Sequence, residues 1–234
     1  MSELEDIDVV HADDALLVLC KPSGLPAVPG RGATLQDCLA RRVQRRFADA
    51  LVVHRLDMAT SGLMLMARGA SAQRALGIAF ARREVEKRYL AIVAGHLAAP
   101  GAGGWGEIDL PLAADWPRRP RQQVDFERGK ASLTRYRVLA HDDGAATTCV
   151  ELQPMTGRTH QLRVHLMAIG HPIVGDTLYA PPAVQAMAQH LALHASRLEL
   201  AHPASGARLV FTSAAPLFPH RTALAACDAV LGLH

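Results

Sequence analysis

The chain has 234 residues, half of them apolar and 20% charged, with a formal net charge of +3. That balance supplies enough apolar material for a sizeable core and excludes a disordered or fibrous polymer. The length fits one large domain or two small lobes, and the modest charge does not by itself establish a nucleic-acid partner.

The four cysteines, Cys20, Cys38, Cys149 and Cys227, are scattered without a C-x-x-C pair. Three lie in apolar surroundings, so buried reduced thiols are expected rather than a disulfide framework. The acidic start MSELEDIDVV lacks the basic n-region and apolar run of a signal peptide. No run of roughly 18 apolar residues is available to span a membrane, so a soluble, cytoplasmic protein is expected. Basic residues cluster at Arg41, Arg42, Arg45 and Arg46, at Arg82, Arg83, Lys87 and Arg88, and at Arg118, Arg119 and Arg121. On charge alone, a phosphate-binding face and ordinary solvated helix faces are equally good readings.

In chain order, ALLVLCKPSG reads as a strand ending in a Pro-Ser-Gly turn. Thr34 opens a helix with Asp37 completing a capping box, and Leu35, Leu39, Val43 and Phe47 form its apolar side. VVHRLDMATSGLMLMAR, Val52 to Arg68, reads as two strand-like arms around a polar break. Ser71 caps a second helix running to about Arg83, and KRYLAIVAG is a strand. A glycine-rich loop, GAGGWGEIDLPL, leads into a polar, Pro-broken excursion, DWPRRPRQQVDFERGK. Strands resume at ASLTRYRVLA and TTCVELQP. A third helix spans about His160 to Ile169, with Gly157 and Thr159 providing a tight turn and an N-cap, and ASRLELAHPASGARLVFTS is a hairpin. Helices and strands interleave without βαβ spacing, so the expected class is α+β with a largely antiparallel sheet.

Several familiar motifs are near-misses. GAGGWG has neither the glycine order nor the Lys-Ser/Thr of a phosphate loop. His190 and His194 stand four apart, as on a shared helical face, but lack a glutamate between them and a third ligand, so no metal is expected. No G-x-S-x-G elbow is present.

Three elements remain. Asp57 sits at the polar break, hemmed in by apolar arms. It is either a turn former or a functional carboxylate, which in such surroundings needs a cationic partner to stay ionised. Arg163 is a guanidinium on the third helix, either simply exposed or Asp57's partner. Arg158 lies beside that helix's N-terminus, where free amides favour anions. Tyr89, on the strand face of Ala91 and Val93, is either core filler with its hydroxyl at the rim or a base-stacking platform.

Together these segments resemble the RluA family of pseudouridine synthases. HRLDMATSG is similar to that family's catalytic motif, KRYLAIVAG to its tyrosine-bearing motif and GRTHQLRVHLMAIGHPIVGD to its third. The likeness runs from KPSGLPAVPG to HPASGARLVFTS, and LPLAADWPRRPRQQVDFERGKASLTRYRV is similar to the polar excursion of the dual-specificity branch. Cys20 departs from the Asn common before the Lys-Pro turn, which bears on a local turn hydrogen bond. The resemblance implies a pseudouridine synthase catalytic fold, a mixed, largely antiparallel bent sheet with flanking helices and a central cleft. Residues 1–234 would form one catalytic domain of two lobes, beginning directly without an N-terminal S4 domain.

It further implies that Asp57 is the catalytic residue, Arg163 its salt-bridge partner, Tyr89 the aromatic packed against the target base, and Arg55 the side chain that enters the RNA stack. The implied reaction isomerises uridine to pseudouridine in stem-loop RNA, at uridine 32 of a tRNA anticodon loop and uridine 746 of 23S rRNA. It needs no cofactor, no metal and no protein partner, and a monomer suffices. Leu63 and Met64 are expected either to wall the pocket or to be plain core. The competing readings are a synthase restricted to one RNA, a non-catalytic RNA chaperone, and a glycosidase-like hydrolase. The last needs a second carboxylate, for which the motif segments offer only Asp176.

Overall fold

The computed structural model describes residues 7–30, 32, 35–101 and 104–215; Thr34 and Cys227 lie outside them. In chain order the elements are β1 (Asp8–Ala12), β2 (Leu16–Lys21), α1 (Leu39–Arg46), β3 (Ala50–Val52), β4 (Ser61–Arg68), α2 (Gly69–Ala81), β5 (Glu86–Ala94), β6 (Gly106–Asp109), β7 (Leu112–Ala114), β8 (Gln122–Val124), β9 (Leu133–Asp142), β10 (Thr147–Pro154), α3 (Gln161–Ala168), α4 (Pro182–Gln185), β11 (Leu193–Ala201) and β12 (Arg208–Thr212). The chain divides into two compact units. One runs to Lys87 and resumes over Ala195–Ser213, and the other spans Arg88–His194. No helix among the described residues is long and apolar enough to cross a membrane.

In the first unit β2 and β4 are continuous apolar runs buried on both faces, as expected of strands at the centre of a sheet. They pair antiparallel from Leu16↔Ala67 to Lys21↔Gly62, and β1 and β3 flank them. Leu16, Val18, Leu63 and Leu65 form one core with Ala72 and Leu76 of α2 and Leu198 and Leu200 of β11. Leu63, expected as either pocket wall or core, therefore lies in this core. In the second unit β10 pairs antiparallel with both β5 and β9, and β6 adds to β9. The pairings β1–β2, β2–β4, β3–β4, β11–β12, β5–β10, β9–β10 and β6–β9 are antiparallel, in accord with the expected mixed, largely antiparallel sheet.

The helix starts differ from those expected. α1 begins at Leu39, because its first amides are taken by the preceding loop: Leu39 N donates to Pro26 O and Ala40 N to Ala27 O. Those carbonyls satisfy the orphan donors that a capping side chain would otherwise have met. Asp37 instead forms a fork with Arg42, at 2.9 Å to Nε and 2.5 Å to Nη2. α2 starts at Gly69, which has φ +77°, so Ser71 lies inside its first turn. The excursion expected as loop is an ordered β7–β8 ribbon with a 3-10 turn, Trp116–Arg118. Cys38 and Cys149 are buried thiols as expected, while Cys20 is half-buried with Sγ 3.4 Å from Ser213 Oγ.

The TSG of the polar break has a steric basis. Gly62 has φ +106°, and a Cβ there would stand 2.4 Å from Ala195 O and 2.6 Å from Ala195 N. Only a residue without a side chain allows β4 to approach β11 this closely. Gly62→Ala therefore combines backbone strain with overpacking and should cost about 3 kcal/mol or more, read as a lowered midpoint in denaturant unfolding.

Candidate active site

Asp57 stands where the chain leaves β3 and has not yet entered β4. The segment 54–57 has no regular structure, and a turn closes with Thr60 N donating to Asp57 O at 3.1 Å. Within that loop Leu56 is buried at 6% exposure, Arg55 is exposed and Asp57 is half-buried. A buried leucine thus sits between an exposed arginine and a half-buried aspartate, and it is the loop's one anchor of apolar burial between residues 54 and 57.

The loop rests on the Lys-Pro-Ser-Gly turn after β2. Gly24 N donates to Met58 O at 2.9 Å, and Ser23 Oγ donates to Ala59 O at 2.7 Å. Lys21 is fully buried, and its ammonium donates to three carbonyls: Pro22 O and Leu25 O at 2.8 Å and Met58 O at 3.0 Å. Three N–H groups thus meet three acceptors, two on the turn and one on the residue after Asp57. Burial pushes the Lys21 amine down from 10.5 to about 8, and the Asp57 carboxylate partly opposes that fall. Lys21 is the site residue that the sequence reading missed. The signal was a lysine continuing an apolar strand at an inward position, which a surface lysine does not do.

His54 braces the loop from the other side. Its Nε2 accepts from Leu65 N at 2.9 Å, which places the ring proton on Nδ1. The ring stacks on Phe80 at 4.5 Å between centroids. Burial, followed by the charge of Lys87, pulls its pKa from 6.5 to about 3. The histidine of HRLD is therefore a neutral acceptor at ordinary pH, serving the loop's shape.

In the second unit α3 runs Gln161–Ala168, in good agreement with the expected span. Every residue from Gln161 to Leu166 is buried, so Arg163 is not an exposed helix arginine. This is possible because each polar side chain has a partner. Gln161 Oε1 accepts from Thr156 Oγ1 and Arg158 N, while its Nε2 donates to Leu133 O and Thr134 Oγ1. His160, in the left-handed conformation, occupies the cap position instead of Thr159. His165 bonds Leu110 O through Nε2 at 3.0 Å.

Arg163, 3% exposed, forms a bidentate pair with Asp176: Nε to Oδ2 at 2.7 Å and Nη2 to Oδ1 at 2.6 Å. Asp176 Oδ1 also accepts from the amides of Leu178 and Tyr179. The guanidinium lies 5.0 Å from the Tyr179 ring centroid, and the Tyr179 hydroxyl accepts from Gln122 N and contacts His160 Nδ1 at 2.6 Å. Arg163 is thus a rigid, oriented cation, and Asp176 is what orients it. Asp176 accepts four hydrogen bonds, two from Arg163 and two from backbone amides. Tyr89 lies on β5 opposite Leu152, 9% exposed, in a stretch buried on both faces. His190 lies outside any helix and His194 is on β11, so they do not share the helical face their spacing suggested.

Lys21→Met removes the donor of three part-buried hydrogen bonds and should cost about 2 kcal/mol or more, read by denaturant unfolding. The lysine also has a pH signature. Its folded-state value near 8 lies below the unfolded 10.5, so between those values the unfolded chain binds the extra proton. Stability contributed by this group therefore rises with pH across that window. The stability gap between wild type and Lys21→Met should widen from pH 8 to 10.5, and a constant gap would contradict the lowered folded-state value.

Residues 15–168 match the RNA pseudouridylate synthase family. The dual-specificity RNA pseudouridine synthase RluA of Yersinia pestis is 49% identical over 203 residues, covering 87% of this chain and 96% of the relative. The RluA of Escherichia coli (strain K12) is 46% identical over 207 residues, covering 88% and 92%. Among solved structures, human RNA pseudouridylate synthase domain containing 1 aligns with a TM-score of 0.75 at 28% identity, covering 94% of this chain and 87% of that one. Human RNA pseudouridylate synthase domain containing 4 aligns at 0.67 and 26%, covering 97% and 94%. The Asp57 loop, its Lys21 clamp and the clamped Arg163 all fall within the matched span, and the chain belongs to the RNA pseudouridylate synthase family, the isomerases that convert uridine in RNA to pseudouridine.

Proposed function

We propose that this chain is a dual-specificity synthase, modifying a uridine of a tRNA anticodon stem-loop and a uridine of a 23S rRNA stem-loop, with Asp57 as its catalytic residue. The substrate reading rests on the relatives named above, which carry the dual-specificity name at 46–49% identity. Both substrates present their target in a loop, where an unpaired base can be splayed out and read. The enzyme works in this reading as a cytoplasmic monomer on RNA alone.

The observation that carries the assignment of Asp57 is a half-buried carboxylate on a loop whose backbone is bonded to the neighbouring turn at Met58 and Ala59. The bond from ribose C1′ to uracil N1 breaks, a bond from C1′ to C5 forms, the C5 proton leaves and N1 takes one up. No atom is lost and no electron is gained, so the protein must supply an anionic nucleophile or base and hold the detached uracil. Asp57 supplies the anion. Arg163, pre-oriented by Asp176, serves as its charge partner. Arg55, exposed on the same loop, enters the RNA stack as the base leaves, and Tyr89 supports the flipped uracil. Extrusion costs a few kcal/mol of stacking, which a planar guanidinium in the gap offsets.

Asp57→Asn should abolish tritium release from RNA labelled at uridine C5 while RNA affinity stays within about twofold; near-normal release from the purified variant would refute the assignment. The same assay separates this reading from an RNA chaperone, which releases no tritium in its wild-type form. Arg163→Met should lower turnover by about 10² or more, the scale of a lost charge-stabilising group. Asp176→Asn, which loosens the clamp and keeps the cation, should fall between wild type and Arg163→Met. Equal turnover for all three would exclude Arg163 from the reaction.

A further inference from the structure

The β7–β8 ribbon is the part of the second unit that the catalytic assignments leave unused. It borders a cavity of about 720 Å³, whose lining includes Trp116, Gln123, Arg128, Lys130 and Arg158. That volume lies within the range of about 300–1,000 Å³ for sites that enclose small organic ligands. Arg128, Lys130 and Arg158 are exposed cations around one concavity, and Asp125 is its acidic member. Asp125 Oδ1 already accepts from the amides of Glu127 and Arg128, so that carboxylate is a turn former.

Trp116 is 65% exposed, and the Arg119 guanidinium lies 3.7 Å from its ring centroid. The indole is held in place. Asp115, 5% exposed, receives the Arg118 Nε at 2.7 Å, and Asp115 N donates to Arg121 O at 3.0 Å, closing the turn that carries the tryptophan. Gln122 N donates to the Tyr179 hydroxyl, which ties β8 to the Tyr179 that also faces Arg163. Lys130 is fixed by paired backbone bonds to Leu112 of β7, and Arg158 by its Nε to Ala131 O at 3.3 Å. An exposed, pre-positioned aromatic beside three cations carried on a hydrogen-bonded backbone is the combination that binds unpaired nucleotides: a π-face for the base and positive charge for the phosphate.

We infer that this groove is a second RNA subsite, which takes an unpaired nucleotide of the substrate other than the target uridine, its base stacked on Trp116 and its phosphate met by Arg128, Lys130 and Arg158. The inference deepens the proposed function and rests on it for the identity of the RNA. It assigns the polar excursion a role in holding the substrate, separate from the chemistry at Asp57.

The test uses the full-length enzyme in two arms. In the first, Trp105→Phe leaves Trp116 as the sole indole of a chain with two tryptophans. This protein is titrated with an anticodon-type RNA stem-loop carrying cytidine at the target position. Trp116 emission should quench saturably, and Arg128→Gln and Arg158→Gln should each reduce the slope of log affinity against log salt by about 0.7. Unchanged emission overturns the inference. In the second arm, tritium release is measured across RNA concentrations. Trp116→Ala should lower kcat/KM at least about fivefold through KM, the lower end of base-stacking strength, and Trp116→Phe should recover most of the loss. An unchanged KM, or a loss confined to kcat, overturns it. Wild-type tritium release without quenching leaves the synthase reading standing and removes the groove. Quenching without any tritium release removes the synthase reading and keeps the groove.

Discussion

A buried ammonium holds the loop that carries Asp57. Lys21 donates to three carbonyls, one of which belongs to the residue next to Asp57. An unpaired charge in that position would be expensive to bury, and here every N–H has an acceptor while the Asp57 carboxylate supplies an opposing charge. The loop consequently needs no regular secondary structure to be rigid. His54 completes the arrangement from the β4 side, accepting Leu65 N through a ring that burial keeps neutral. Both flanks of Asp57 are thereby set by groups whose protonation state follows from their surroundings.

The second unit treats its cation differently. Arg163 is fixed by a carboxylate on a following loop, and Asp176 is in turn fixed by two backbone amides. A buried bidentate pair is poor evidence for stability, since desolvation cancels much of the attraction. It is good evidence for orientation, because the planar fork admits one geometry. Tyr179 extends the same network to His160 and Gln122. One tyrosine thus joins the helix that bears Arg163 to the ribbon that borders the basic groove.

The groove gives the polar excursion a physical role. A Pro-broken segment rich in arginine reads as loop, yet it folds into a paired ribbon whose turn is closed by a nearly buried aspartate. Ordering it costs conformational entropy. A rigid aromatic platform lowers the entropic cost of capturing a flexible RNA loop, which is the sense in which pre-organisation favours binding.

Much of the architecture was legible from residue order, for reasons that lie close to the chain. Uninterrupted apolar runs marked β2 and β4, β9 and β10 emerged where strands were expected, and α3 falls within its expected span. Motif residues at Asp57, Tyr89, Arg55 and Arg163 carried the family and the candidate chemistry, because catalysis constrains side-chain type at fixed positions. What the chain could not disclose locally were partners distant in sequence. Lys21 meets Met58 and Arg163 meets Asp176 only once the strands and loops are folded. The start of α1 was misread for the same reason, since carbonyls at Pro26 and Ala27 replaced the cap that Thr34 and Asp37 suggested. Likewise the pattern around TSG showed that a small residue was wanted, and only the approach of β11 explained why Gly62 can carry no side chain. Local sequence determines what a residue prefers; tertiary contact decides which of its neighbours satisfies it.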